Sequence, residues 1–345
     1  MKRTSIRVLA VVTLAAVAVA LAASGTSART AAPPKKKQLP MKTIGILGPV
    51  DAAEVIKLGT DATATAAKAL GWKVINLDPG GDPAKTAADM NSLVNSHVDA
   101  IVLTIIEPAT VQAGLQAAAK AHIPVISTMS QTHASKLEAG MYWPVPAQEM
   151  NLLVGQMKKD GVPSGAKIGM IQLPQFYNAL IAQQLFQKSA QTAGWNVVAT
   201  HDADLANLVP DVNKATGDMI RANPDLKAIW GCCDFAVAGA VPAIQQSGKP
   251  VTLYSLHGVP SSVQFVKSAN AKIEIANAQI SSFIAIDALA KHWTMGAPIP
   301  RATPREFKYQ MTMIDKNTTT YPYPTSKILA QFKARWAKLY LPAHK

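Results

Sequence analysis

Cysteine is scarce in this chain of 345 residues, which has only two, Cys232 and Cys233, side by side. That scarcity disfavours a disulfide framework, a Cys-x-x-Cys redox pair and a zinc site with spaced cysteine ligands. No Gly-x-Gly-x-x-Gly motif follows the first strand-like run, and no Ser-His-Asp or metal-ligand constellation stands out. These absences count against an enzyme on an α/β scaffold, such as a dehydrogenase. We expect neither a metal nor a cofactor.

Charge is also sparse, at 16% of the residues, while 49% are hydrophobic. Such a chain is not disordered, and its length suits two lobes with large cores. The net charge of +13 lies mostly at the ends. Residues 1–40 hold seven basic residues and residues 326–345 hold five, with no acid in either segment. Because the body between them is nearly neutral, we expect no nucleic-acid partner.

Long hydrophobic runs are absent except at the N-terminus, where residues 8–23 follow a basic start and precede small residues. This pattern predicts a signal peptide over residues 1–28, cleaved after a residue such as Ala28, although retention as an anchor is an alternative. Residues 29–41, rich in Pro and Lys, indicate a tether outside the fold. The mature chain is therefore expected to be soluble outside the cytoplasm, in the periplasm, at the cell surface or secreted.

What the chain does have is a duplicated alternation of strand and helix. Strand-like runs lie at 43–47, 74–77, 100–103 and 124–127, with helix-like stretches at 51–70, 83–96 and 108–121 between them. The pattern recurs, with strands at 167–171, 196–200, 227–231 and 251–254 and helices at 176–193, 209–222 and 235–247. Such alternation predicts an α/β fold of two similar lobes, each a parallel sheet flanked by helices. Ligands of open α/β sheets bind at the carboxyl ends of the strands.

Five blocks in this order and spacing carry a family resemblance. They include GWKVINLDPGGDPAKTAADMNSLVNSHVDAIVL (71–103) and IRANPDLKAIWGCCDFAVAGAVPAIQQSG (220–248), with shorter blocks at 117–127, 254–260 and 273–279. Together they resemble the type I periplasmic binding proteins of ABC transporters, of the ribose- and galactose-binding kind. The resemblance implies a monomer that closes on a small-molecule ligand and then meets an ABC permease in the membrane.

The same resemblance implies lobe boundaries. The first lobe is expected to comprise 42–142 and 280–302, and the second 143–279 and 303–345, ending in a basic tail. The hinge is expected where the chain crosses near 142–145, 276–279 and 302–307.

The resemblance also implies the site. Met129, Cys233, Asp234, His257 and Gln279 stand where the family contacts its ligand, and polar residues near other contact loops complete the set. The predicted ligand-binding residues are Asp51, Thr104, Met129, Tyr177, Asn178, Cys233, Asp234, His257 and Gln279.

Several of the family's sugar contacts are changed. The first binding loop has Glu54-Val55-Ile56 where the family has aromatic residues, and no arginine occurs in LPQFYNALIAQQ (173–184). Sugars need dense hydrogen bonding, because every buried hydroxyl group requires a partner. The ligand is therefore expected to be either sugar-like or a less hydroxylated small molecule.

Other roles stay open at this point. Asp234 suits a helix start as well as ligand contact. Cys233 is expected to line the pocket and Cys232 to face the core, as two buried thiols or as a strained disulfide. Trp143 lies beside a crossover, where it either packs the hinge or stacks on ligand. A sensory binding protein that reports ligand to a membrane receptor or kinase would share all of these features with a transport protein.

Overall fold

Two largely parallel sheets, each flanked by helices, make up most of the protein in this computed structural model, which describes residues 35–345 except 130, 205, 206, 269, 342, 344 and 345. The expected signal peptide and the first residues of the expected tether lie outside the described residues. The fold class predicted from the alternation of strands and helices is confirmed.

The first sheet has five parallel strands in the order β3-β2-β4-β5-β6. Its strands are β2 (Thr43–Leu47), β3 (Lys73–Leu77), β4 (Ala100–Thr104), β5 (Val125–Thr128) and β6 (Gly140–Tyr142). Every residue of the central strand β4, AIVLT, is buried, as expected for a strand covered by helices on both faces. This sheet and the helices packed on it are the first lobe.

The second sheet has six strands in the order β12-β11-β10-β9-β7-β8, all parallel except β12. They are β7 (Lys167–Gln172), β8 (Asn196–Asp202), β9 (Ala228–Gly231), β10 (Thr252–Ser255), β11 (Ala271–Ala276) and β12 (Met311–Ile314). This sheet and its helices are the second lobe.

Ten α-helices are described in residues 35–345. They are α1 (Glu54–Ala69), α2 (Pro83–Asn95), α3 (Gln112–Lys120), α4 (Pro146–Lys159), α5 (Tyr177–Ala193), α6 (Leu208–Ala222), α7 (Asp234–Ser247), α8 (Ser262–Ser268), α9 (Ile280–Met295) and α10 (Thr325–Leu339). Local chemistry sets several of their ends. Asp82 caps the start of α2, just before Pro83, and its carboxylate accepts hydrogen bonds from the N–H groups of Ala84 and Lys85. Gly194 ends α5 with a φ of 73°.

The chain passes between the lobes more often than the sequence indicates. It crosses after β6, again between β11 and α9, and a third time between α9 and β12. A fourth passage lies between β12 and α10, because α10 packs on the first lobe. There Ile328, Phe332 and Trp336 share a core with α1 and α9.

The assignment of residues 303–345 to the second lobe is therefore corrected for α10. This helix is tied to the first lobe by the buried carboxylate of Asp287 on α9. Asp287 accepts hydrogen bonds from Trp336 Nε1 at 2.9 Å and Arg335 Nε at 3.2 Å, both on α10. The part of the basic C-terminal segment that lies in Thr325–Leu339 is thus helical, and one of its charges, on Arg335, is paired with a buried acid.

The tether boundary is also corrected. Strand β1 (Lys37–Gln38) pairs in parallel with β13 (Tyr340–Leu341), and Leu39 is buried in the core of the first lobe. Residues 37–39 thus belong to the fold. Within the described residues, no helix is long and apolar enough to span a membrane.

Candidate functional site

A cavity of about 690 Å³ lies between the two lobes. Its walls come from loops at the carboxyl ends of strands in both sheets and from the segments that cross between the lobes, the place where open α/β sheets bind ligands. The volume falls within the range of small-molecule sites.

The first lobe gives the cavity a mostly apolar wall. The loop after β2 and the start of α1 contribute Val50, Val55, Ile56 and Leu58, and Met129 follows β5. Glu54, the first residue of α1, is the one charged side chain among the described residues on this wall.

The second lobe supplies more polar groups. Asn178 lies at the start of α5, Cys233 and Asp234 follow β9, and His257 follows β10. Two aromatic side chains, Phe176 and Phe235, line the same wall.

The hinge completes the enclosure. Trp143 from the first crossing, Gln279 from the second and Tyr321 from the fourth all line the cavity. Gln279 is fully buried, and its Nε2 donates to the carbonyl oxygen of Tyr323 at 2.5 Å. This bond joins two crossing segments, so Gln279 positions the hinge as well as lining the site.

Two contacts connect the lobes across the cleft. The carboxylate of Glu54 accepts hydrogen bonds from the N–H group of Ser261 at 3.2 Å and from its hydroxyl at 2.5 Å. On another part of the cleft, the ring of His133 packs on Tyr177, with 3.9 Å between centroids. His133 also pairs with Glu107 at 3.0 Å. The lobes are therefore in direct contact around the cavity.

Six of the nine predicted site residues line this cavity, namely Met129, Asn178, Cys233, Asp234, His257 and Gln279. The other three do not line it. The carboxylate of Asp51 accepts a hydrogen bond from Thr60 Oγ1 at 3.2 Å. Thr104 is fully buried, with its Oγ1 3.4 Å from Thr128 Oγ1. Tyr177 points its ring at His133 instead.

Sequence reasoning missed several lining residues. Glu149 and Ser261 carried no motif signal, and Glu54 stood out only as part of the changed first binding loop. A carboxylate at the first position of a helix that follows a strand end was the available signal for Glu54, because such positions face the cleft. Trp143 was given as one of two alternatives, and its place on the cavity wall makes it available to a ligand.

The cysteines are placed as predicted. Cys232 is fully buried in the core of the second lobe, and Cys233 lines the cavity. Both are free thiols, with 3.1 Å between the sulfur atoms. Burial raises the pKa of Cys233, and the neighbouring Cys232 adds to the rise, so this thiol is a poor nucleophile. Helix α7 begins at Asp234 with Cys233 at the N-cap, so Asp234 lies in the first turn and is not itself the cap.

A cluster of ionisable groups lies in and behind the second-lobe wall, where Glu149 and His257 line the cavity and Glu274 lies behind them. The ring Nε2 of His257 is 3.3 Å from Glu149 Oε2, and the backbone N–H of His257 donates to Glu274 Oε2 at 3.3 Å. Burial lowers the pKa of His257, but Glu149 and Glu274 outweigh it and raise that pKa to about 9. His257 is therefore a cation at neutral pH. Burial and Glu149 raise the pKa of Glu274.

The carboxyl group of Asp234 has a raised pKa. Burial raises this pKa to about 6, and the charge of Glu54 on the other lobe adds to the rise. N–H groups at the start of the helix and His257 act in the opposite direction. The two carboxylates therefore interact across the cavity. Among the described residues, no group of three or more His, Cys, Asp or Glu side chains is arranged to hold a metal ion.

Known proteins share both the sequence pattern and the fold. A family model described as a periplasmic binding protein domain matches residues 44–297, well over half of the chain. The chain belongs to this periplasmic binding protein family. Its members are solute-binding proteins that work outside the cytoplasm, so the family resemblance drawn from the sequence is confirmed.

Individual proteins similar to this chain in sequence or structure include sugar-transport binding proteins. The ribose import binding protein RbsB of Haemophilus influenzae is 24% identical over 221 residues, covering 63% of this chain and 73% of the relative. An ABC sugar transporter subunit from Rhodobacter sphaeroides has a TM-score of 0.71 at 19% identity, covering 80% of this chain and 99% of that one. A 5-methylthioribose transporter solute binding protein from Thermotoga lettingae, with a TM-score of 0.71 at 16% identity, covers 86% and 99%. The structural likeness shows the type I fold.

Proposed function

We propose that this protein is the solute-binding component of an ABC importer, exported by residues 1–28 and acting as a monomer without catalysis. In this role it captures one small molecule in the cavity between its lobes and presents the closed form to a membrane permease. The cavity of about 690 Å³, lined by both lobes, carries the proposal.

The lining favours a solute with fewer hydroxyl groups than a free sugar. The first-lobe wall is almost entirely apolar, and aromatic groups line the second lobe and hinge. A fully hydroxylated sugar would leave several of its groups without hydrogen-bond partners against such a wall. One relative is named for ribose import, and one structural neighbour is in complex with 5-methylthioribose. Both names support a solute about as large as a single sugar.

Closure follows from contacts that exist only when the lobes meet. Glu54 accepts hydrogen bonds from Ser261, and His133 packs on Tyr177, each pair joining the two lobes. A solute that touches both walls adds further contacts to the closed form only, and it therefore shifts the population towards that form.

A thermal-shift screen of the purified protein against sugars, polyols, amines and aromatic acids tests the binding role, because any compound that binds the folded state raises the melting temperature. We expect at least one strong binder, with 1:1 stoichiometry by calorimetry. Deletion of the gene in the source organism should then abolish uptake of that compound.

Complementation supplies the control for the uptake experiment. The wild-type gene should restore uptake, whereas the Asp234→Ala gene should not at low solute concentration. Normal uptake in the deletion strain would contradict a transport role. A lost cellular response to the compound with normal uptake would indicate a sensory one.

A further inference from the structure

The ionisable side chains on the cavity wall are mostly acidic. Among the described lining residues, three are carboxylic acids, Glu54, Glu149 and Asp234, one is a histidine, His257, and none is lysine or arginine. An anionic solute would therefore meet several like charges in a partly dehydrated space, at a high cost in free energy.

His257 does not neutralise this excess of acidic groups. The ring Nε2 of His257 already lies 3.3 Å from Glu149 Oε2, and the backbone N–H of His257 donates to the buried Glu274. The second oxygen of Glu149, Oε1, has no hydrogen-bond partner, although the residue is only 2% exposed. A bound molecule that reaches this oxygen would supply the missing donor.

The other two carboxylates line the same cavity from opposite lobes. Burial raises the pKa of Asp234, and Glu54 on the first lobe adds to the rise, so closing the lobes brings two like charges together. A positive group placed between them would reverse the sign of that interaction. Such a group would also stabilise the closed form more than the open one.

The rest of the wall fits an apolar body. Trp143, Phe176, Phe235 and Tyr321 line the cavity together with the aliphatic first-lobe wall. Aromatic faces attract organic cations and also pack on apolar rings.

Building on the proposed function, we propose that the solute is an organic cation, a protonated amine on a largely apolar or aromatic body. Its ammonium group lies near Glu54, Asp234 and Glu149 Oε1, and its body lies against the aromatic residues. This solute class is distinct from the neutral sugars named for the relatives.

Matched compounds test this inference, because they share one apolar body and carry a positive, neutral or negative head group. Three triplets serve: 2-phenylethylamine, 2-phenylethanol and phenylacetate; tryptamine, tryptophol and indole-3-acetate; and the corresponding 2-cyclohexylethyl series. Calorimetric titration of the purified protein near pH 7.5 measures each affinity. In at least one triplet we expect the amine to bind at least about tenfold more tightly than the alcohol, with the acid weakest.

Variants then assign the preference to the carboxylates. Asp234→Asn and, separately, Glu54→Gln keep the side-chain shape and remove one charge, and each should reduce the amine-to-alcohol ratio to about threefold or less. Asp218→Asn makes the same chemical change on the exposed surface of the second lobe, and should leave the ratio unchanged. A far-ultraviolet circular dichroism spectrum confirms that each variant is folded.

The possible results separate this inference from the proposed function. Equal affinity within every triplet, a preference for the alcohol or acid, or no binding of any amine overturns the cationic solute. The binding role survives those results if the wider screen yields another binder. A ratio that stays at tenfold in both Asp234→Asn and Glu54→Gln also overturns the inference, because the preference then arises elsewhere.

Discussion

The carboxylate of Glu54 on the first lobe accepts two hydrogen bonds from Ser261 on the second, one from the backbone N–H and one from the hydroxyl. This pair joins the lobes beside a cavity that both of them line. A bond between a charged acceptor and a donor on the opposite lobe exists only when the lobes are together. It therefore contributes to the lifetime of the closed form.

Ser261→Ala should shorten that lifetime. The variant removes the hydroxyl bond and keeps the backbone bond, so we expect the bound solute to dissociate about tenfold faster, with a small change in association rate. Stopped-flow fluorescence of the tightest binder measures both rates. Ser92→Ala on the exposed face of α2 is the control, and dissociation rates equal to wild type in both variants would contradict a role for the Glu54–Ser261 contact in closure.

Asp234 and Gln279 should both matter for affinity. We expect Asp234→Ala and Gln279→Ala each to weaken binding of the tightest binder by at least about fivefold, the first through a lost polar contact and the second through a loosened hinge. Isothermal titration calorimetry measures the change. Unchanged affinity in both variants would remove these residues from the site.

His257 should make stability depend on pH. Its pKa is raised to about 9 in the folded protein, above the usual value of about 6.5. A group that binds its proton more tightly when folded stabilises the protein fully below the unfolded pKa, and loses that contribution as the pH rises through the folded pKa. We therefore expect the free energy of unfolding in urea to fall between about pH 6 and pH 9.5, with His257 alone contributing about 3 kcal/mol.

Glu149→Gln provides the matched comparison for this pH effect. The variant keeps the shape beside His257 and removes the charge that raises its pKa, so the fall with pH should be clearly smaller. Glu274, whose pKa is also raised by folding, acts in the same direction, so some fall should persist. A wild-type protein equally stable at both pH values would contradict a charged His257.

The C-terminal helix should stabilise the first lobe. Phe332 is 3% exposed and packs on Phe283, with ring centroids 5.3 Å apart. Phe332→Ala should therefore lower the free energy of unfolding by about 3–5 kcal/mol. Lys333→Ala, on the exposed side of the same helix, should change it little. Equal unfolding midpoints for the two variants would show that α10 does not belong to this core.

Much of the fold was predictable because the order of apolar and polar residues within short segments determines where strands and helices form. The alternation of apolar runs with helical stretches placed strands β2 to β5 and β7 to β10 close to their observed bounds. The same periodicity was present in Ile328, Phe332 and Trp336, which recur at four-residue spacing and predict an apolar helix face. Which lobe that face covers depends on the distant Asp287 and Phe283, so local pattern left it undetermined.

The site was predictable where a single strand end decides the position of a residue. Cys233, Asp234 and His257 each follow a strand whose end faces the cleft, and all three line the cavity. Thr104 also ends a strand, yet its hydroxyl lies against Thr128 within the sheet. Glu54, Ser261 and Glu149 enter the site only through contacts between lobes or helices far apart in sequence, which no local motif records.

A crystal structure of the complex with the tightest binder from the solute screen would show whether the cavity between the lobes is the binding site. We expect density for one molecule enclosed between the lobes, in contact with Asp234 on one side and with the loop around Glu54 on the other. Density bound to one lobe alone, or at a surface away from this cavity, would contradict it.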